Sequence, residues 1–175
     1  ALCDIYTHSD RYADNEAAWR NEESRKKYWN DWRSLLEKWA DHAEKYEPEY
    51  SQMAAVRCLE QQIESSSVRI NTHYANSTAV RLGCIYAKHY VWCNRGVNGI
   101  EGSLSTAAGF AVASDDLNVC IIGDLSFFYD QNALWNSCVG GNLRILLLNN
   151  SCGGIFKQLP NLHKSPVADT FVGAS

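Results

Sequence analysis

Between residues 16 and 45 the chain is charged and aromatic, and Trp29, Trp32, Leu36, Trp39 and Ala43 follow one another at steps of 3, 4, 3 and 4. That step matches one face of a 3.6-residue helix, so the spacing predicts an amphipathic helix whose ring stripe is a packing face. A platform for bases or sugars would need basic residues beside the rings, and Glu37 and Asp41 stand there instead. Residues 1–15 read as irregular or partly extended. Glu47-Pro48-Glu49 ends the helix and marks a boundary.

Beyond it the pattern changes. Met53, Val56, Leu59 and Ile63 line one side of a helix over 52–64, which Ser65-Ser66-Ser67 closes. A short alternating strand at 68–72, a helix over 77–89 and a strand at 90–93 follow. A glycine-punctuated loop, 94–102, leads into a helix of small residues over 105–113, able to lie close against a sheet. A strand at 119–123, a helix over 127–137 and a strand at 143–148 complete the series. Helices alternating with apolar strands predict an α/β fold: a parallel sheet flanked by helices on both faces, preceded by a linker helix. No internal repeat or low-complexity tract interrupts it.

At 175 residues the chain has room for one domain, or one domain and a piece of another. Its 16 basic and 20 acidic residues leave a net charge of −4, which argues against a phosphate-tracking nucleic-acid binder. Seven cysteines are scattered without a C-x-x-C or a Cys/His pairing, which argues against a zinc site or a disulfide framework. A reducing, cytoplasmic location is the simpler reading. No apolar run approaches the roughly 20 residues of a membrane span. Ala1 opens what reads as mid-protein sequence and the last residues close no element, so the expectation is a fragment.

The candidate chemistry sits at two strand ends. Gly123-Asp124 follows the apolar run 119–122, and Asn149-Asn150 follows the next, Asn150 lying 26 positions after Asp124. A crossover helix between them makes the strands parallel, and ligands of such sheets collect at the strands' carboxyl ends. One carboxylate and one carboxamide, without thiolate or imidazole, suit a hard cation such as Mg²⁺ that also takes phosphate oxygens. The backbone N–H groups of Leu125 and Ser126 open the following helix, a seat for phosphate. Gly153-Gly154 lets backbone approach a ligand closely. Taken singly, Gly-Asp also reads as a turn with a helix cap and Asn-Asn as loop chemistry. No G-x-G-x-x-G or Walker loop offers a rival grip on phosphate.

Gly-Asp, then Asn-Asn some 25 residues on, resembles the thiamine-diphosphate motif. Its surroundings are more specific: Asn76-Ser-Thr-Ala-Val-Arg81, the run from Asn94 to Gly109, and Asn149-Asn-Ser-Cys-Gly-Gly-Ile-Phe156 with Leu159-Pro160. They resemble the menaquinone-pathway 2-succinyl-5-enolpyruvyl-6-hydroxy-3-cyclohexene-1-carboxylate synthase family. The likeness covers about residues 50–172, its diphosphate-binding domain. On this basis 48–175 is that domain, C-terminally incomplete, and 1–47 resembles, less specifically, the tail of the central domain with its linker helix.

The resemblance implies thiamine diphosphate with Mg²⁺ (or Mn²⁺), and decarboxylation of 2-oxoglutarate followed by addition to isochorismate. It also implies a homo-oligomer (homodimer or homotetramer) in which a partner subunit's pyrimidine-binding domain completes the site. By position Asp124 and Asn150 would bind the metal through side chains and Cys152 through its carbonyl. Gly123, Leu125, Ser126 and Gly153 would border the cofactor, with Ser77 beside it, and Ile100 would be the wedge that bends it. Arg81 and Arg95 would grip substrate carboxylates, and Ile155, Phe156 and Leu159 would line the substrate pocket. Ordinary core packing remains open for those last three, a solvated helix position for Arg81, and a simple plug for Ile100. His8, His42, His73, His89 and His163 match no catalytic position and read as surface or structural residues.

Two residues depart from the family pattern: Cys152 stands in place of glycine and Glu101 in place of aspartate. The glutamate that activates the cofactor belongs to a domain outside these residues, so the chain alone is expected to be inactive. The alternatives are another thiamine-diphosphate enzyme of acetolactate-synthase type, and a non-catalytic module of the same fold.

Overall fold

The computed structural model describes residues 21–96, 99–157, 159–161, 164–167, 170 and 173, in two units divided between Tyr46 and Glu47. The expectations for residues 1–20, for Val97 and Asn98 in the glycine loop, for His163, and for most of the last residues lie outside the described residues.

The first unit contributes helix α1, Glu22–Lys45. Asn21 caps it, its side chain accepting from the Glu23 N–H at 3.0 Å. Glu22 and Glu23 in the first turn and Lys45 in the last suit the helix dipole. The stripe is present as a face, yet Trp29 is 68% exposed and Trp39 51% exposed. Among the unit's described residues only Ala43 is buried, and no second described element of the unit receives the rings.

The second unit opens with α2, Gln52–Ser65, capped by Ser51 through the Ala54 N–H. Then come β1 (Ile70–Tyr74), α3 (Thr78–Tyr86), β2 (Val91–Trp92), α4 (Ser103–Val112), β3 (Leu117–Gly123), α5 (Asp124–Tyr129), a 3₁₀ turn (Gln131–Trp135), β4 (Leu143–Leu148) and α6 (Gly154–Lys157). The four strands form one sheet in the order β2-β1-β3-β4, and every neighbouring pair is parallel. Right-handed crossovers that run in opposite directions from β1 and from β3 put their helices on opposite faces. Accordingly α3 packs with α2, whereas α4 packs with α5 and the 3₁₀ turn.

The centre of the sheet is enclosed. Cys120, Ile121 and Ile122 on β3 are fully enclosed, as are Tyr74 on β1, Leu104 on α4 and Val56 on α2. Each such aliphatic side chain contributes about 1.5–3 kcal/mol, so the ends of β1 and β3 are firmly placed. Burial pushes the Cys120 thiol up to about 12, with buried Asp130 adding to it. Gly83 lets α3 approach β1: a Cβ there would lie 3.1 Å from the Tyr74 ring. No helix among the described residues is long and apolar enough to cross a membrane.

Several element limits differ from the periodicity. The first strand runs two residues later than expected, because the Ser66 hydroxyl takes the Val68 N–H into a turn. The helix after it stops at Tyr86 rather than 89, where His89 turns to Glu60 at 2.8 Å. The second strand shrinks to Val91–Trp92. The helix expected over 127–137 begins instead at Asp124 and breaks at Asp130. Asp130 leaves the helical path because its carboxylate caps α4, accepting from the Ser105 N–H at 2.7 Å and from the Ser105 hydroxyl. That distant cap also starts α4 at Ser103, two residues earlier than its small-residue run suggests.

Candidate functional site

β1 and β3 are neighbours whose following connections depart to opposite sides, and such a reversal opens a crevice beyond the strands' carboxyl ends. A cavity of about 500 Å³ lies there. All four strand ends supply walls: Ser77 after β1, Arg95 and Ile100 after β2, Asp124 after β3 and Asn150 after β4.

Asp124 is only 4% exposed. Its Oδ1 accepts the Leu125 N–H at 2.9 Å, while Oδ2 is buried without a protein donor. Of the five buried side-chain atoms left without partners among the described residues, it is the sole carboxylate oxygen. A buried carboxylate with an open oxygen is costly unless a cation or donor reaches it.

Across the same cavity, Asn150 Oδ1 accepts the Cys152 N–H at 3.0 Å, and Asn149 Oδ1 accepts the Ser151 N–H at 2.8 Å. These side-chain turns hold Ser151 at φ 54. A carboxamide oxygen has two lone pairs, so Asn150 keeps one for a ligand. The Cys152 carbonyl, which accepts the Gly154 N–H at 3.0 Å, is in the same position. The left-handed residue of this loop is Ser151 and not Cys152, so a side chain at 152 meets no backbone conflict.

The donor set is therefore one carboxylate, one carboxamide and one main-chain carbonyl, the oxygen chemistry of a hard divalent cation. Among the described residues no three His, Cys, Asp or Glu side chains converge as an alternative metal group. The open Oδ2 of Asp124 gives such an ion a place with no competing donor, and the residues present fit it. The Leu125 N–H, read from sequence as a phosphate donor, is already engaged by Asp124.

The rest of the lining is cationic and apolar. Arg81, one turn into α3, and Arg95, in the loop after β2, both line the cavity, as do Ile100, Ile155 and Phe156. Ser77 enters this wall at φ 67 and ψ −127, a conformation L side chains rarely adopt. Gly123, Leu125, Ser126 and Gly153 complete the expected residues that meet here. Leu159 does not line the cavity and is 48% exposed, tied to α6 by its N–H to the Phe156 carbonyl.

Sequence reasoning gave no role to Gln52, nor to Asn76, although Asn76 opens one of the quoted motifs. Gln52 opens α2, lines the cavity and donates from Nε2 to the Leu148 carbonyl at 3.2 Å. The Asn76 carboxamide binds across to the loop after β2. Both contacts are long-range, so no local pattern marks them. Outside the cavity, buried Glu60 accepts from the Tyr74 hydroxyl and pairs with His89. The burial of His73 lowers its pKa, partly offset by a hydrogen bond with Asn94.

A parallel sheet flanked by helices, with a crevice at the carboxyl ends of its strands, defines an α/β domain of the kind that binds ligands at its switch point. Known proteins carry a similar stretch of sequence. The chain is 54% identical over 128 residues to a 2-succinyl-5-enolpyruvyl-6-hydroxy-3-cyclohexene-1-carboxylate synthase of Bacteroides fragilis, covering 71% of this chain and 22% of that protein. The synthase of that name from Bacteroides thetaiotaomicron is 50% identical over 133 residues, 73% of this chain and 23% of the relative. That of Phocaeicola vulgatus is 57% identical over 105 residues, 58% of this chain and 19% of the relative. No family model matches. The chain belongs, as a segment, to the 2-succinyl-5-enolpyruvyl-6-hydroxy-3-cyclohexene-1-carboxylate synthase family, and it spans about a fifth of the length of these curated relatives.

Proposed function

We infer that the cavity holds the diphosphate end of thiamine diphosphate through Mg²⁺ (or Mn²⁺), within a longer cytoplasmic synthase that joins decarboxylated 2-oxoglutarate to isochorismate. The observation that carries this reading is the buried, unpartnered Oδ2 of Asp124 in a cavity shared with Asn150. When bound, thiamine diphosphate supplies a carbon nucleophile and an electron sink for the loss of carbon dioxide from a 2-oxo acid.

The chain's own residues hold and orient. Asp124 and Asn150 side chains, with the Cys152 carbonyl, would hold the metal, and Gly123, Ser126 and Gly153 would border the diphosphate. Ser77 and Ile100 would lie against the cofactor. Arg81 and Arg95 would fix carboxylates, for which a guanidinium's parallel donors are suited. Ile155 and Phe156 would keep water from the reacting carbons. The remaining walls would come from the pyrimidine-binding domain of a partner subunit in a homo-oligomer.

The test is a substrate screen of the full-length protein with Mg²⁺ and thiamine diphosphate. Consumption of 2-oxoglutarate that depends on isochorismate is expected, with none by the isolated 175-residue chain. Turnover of pyruvate instead would move the protein to the acetolactate-synthase type. Absence of calorimetric heat with metal and cofactor would mark a non-catalytic module.

A further inference from the structure

Asn150 lies just beyond the reach of the sheet. The ladder between β3 and β4 ends at the pair Gly123–Leu148. Past that pair the hydrogen bonds described for Asn149 to Gly154 are all local. Asn149 Oδ1 accepts the Ser151 N–H, Asn150 Oδ1 the Cys152 N–H, and the Cys152 carbonyl the Gly154 N–H. Turns of this kind give a loop its shape but do not fix where it stands relative to Asp124. A long-range bond meets the chain at the junction: Gln52 Nε2 donates to the Leu148 carbonyl at 3.2 Å, across 96 positions of sequence.

Gln52 is well placed to act as a strut. It is the first residue of α2, and it lines the cavity together with Leu148, Asn150, Cys152 and Asp124. The turn that carries it is pinned on both sides. Ser51 accepts the Ala54 N–H at 3.2 Å and donates its own hydroxyl to the Glu49 carbonyl at 2.8 Å. Further along α2, Val56 is enclosed in the core, and Arg57 pairs with Glu47 at 2.7 Å. The amide therefore projects from a fixed base. Its chemistry suits the place as well: a carbonyl needs a donor, and a carboxamide supplies one without charge. A lysine could donate too, but its ammonium would repel a cation brought to the open Oδ2 of Asp124.

We propose that Gln52 is the positioning residue of the metal side. By clamping the last carbonyl of β4, it holds the following loop where the Asn150 carboxamide and the Cys152 carbonyl can share one cation with Asp124. The proposal rests on the reading of the cavity given above, and Gln52 acts through the loop rather than as a ligand. Without the clamp a smaller fraction of molecules has the loop in place, and the apparent affinity falls by that fraction.

The experiment compares the full-length protein with two variants. Gln52→Met keeps the length of the side chain without a donor; Gln52→Glu, ionised at pH 8, offers only acceptors. The measurements are calorimetric affinity for Mg²⁺ with thiamine diphosphate, amide hydrogen exchange of the metal-free protein by mass spectrometry, and the urea midpoint. Both variants are expected to bind about three- to tenfold more weakly, the scale of one neutral hydrogen bond. Exchange should quicken from Leu147 to Cys152 and stay unchanged in β1. A merely structural role would lower the urea midpoint while the folded protein kept its affinity, and that result overturns the proposal. Weaker binding without quicker exchange at the end of β4 would make Gln52 a direct contact, and tighter Mg²⁺ binding by Gln52→Glu would make position 52 a ligand position; either overturns it. A wild type that binds neither Mg²⁺ nor thiamine diphosphate removes the reading of the cavity and this proposal with it. Wild-type binding with undiminished affinity in both variants removes this proposal alone.

Discussion

Replacing Asp124 by Asn should change stability in opposite directions with and without ligand. The carboxylate is 4% exposed and its Oδ2 has no protein donor. A buried polar group without a partner costs about 1–3 kcal/mol, and more when charged. The variant removes that charge and keeps the shape. It also gives up a carboxylate in the first turn of α5, worth about 0.3–1 kcal/mol with the helix dipole. Asn keeps a buried polar atom without a partner at the same place, so only the excess cost of the charge is recovered. The net for the metal-free chain is a gain of about 1 kcal/mol, or roughly 2–4 °C in Tm for a domain of this size. With Mg²⁺ and thiamine diphosphate the order reverses. Ligand at a hundredfold excess over its Kd stabilises the protein that binds it by about 2.7 kcal/mol, and the variant should gain none of this. Thermal unfolding of the 175-residue chain in EDTA, and of the full-length protein with and without ligand, measures both arms. A metal-free variant that melts below the wild type, or a variant that keeps the full ligand-induced rise, would refute the reasoning.

Two further outcomes follow from buried groups in the core. Burial depresses the pKa of His73 in the folded chain, so the folded state binds fewer protons than the unfolded state as pH falls below about 6.5. Stability present above that pH should therefore be lost on acidification toward the depressed value. Urea unfolding at pH 7.5 and 5.5 should show a larger loss for the wild type than for His73→Asn, and equal losses would refute it. Cys120, pushed up to about 12 by burial, should resist iodoacetamide at pH 8 in the native state, whereas exposed Cys58, Cys84 and Cys138 react. Peptide mass spectrometry reads the difference, and equal labelling of Cys120 would contradict the enclosed core.

The alternation of helices with apolar strands was legible because β3 and β4 are short apolar runs ended by polar residues. Asp124 and Asn150 could be located for the same reason: each immediately follows such a run. What could not be read depends on contacts far along the chain. The Nε2 of Gln52 reaches a carbonyl 96 positions away, and Asn76 binds main chain 18 and 23 positions on. Carbonyl acceptors carry no residue signature. Asp130 was read as helix interior because its capping of Ser105 is tertiary, so a short helix and a 3₁₀ turn replace one longer helix. The stripe on α1 announced itself by period, but periodicity says nothing about what covers a face, and the rings stand exposed among the described residues.

The two walls of the cavity are fastened to the sheet unequally. β4, which leads to Asn150, is zipped to β3 by six register pairs, whereas β2, which leads to Arg95 and Ile100, is joined to β1 by two. Segments with few ladder bonds open first, at a free energy far below that of global unfolding. On the proposed reading, a molecule anchored at both ends would be released at the Arg95 end before the Asn150 end.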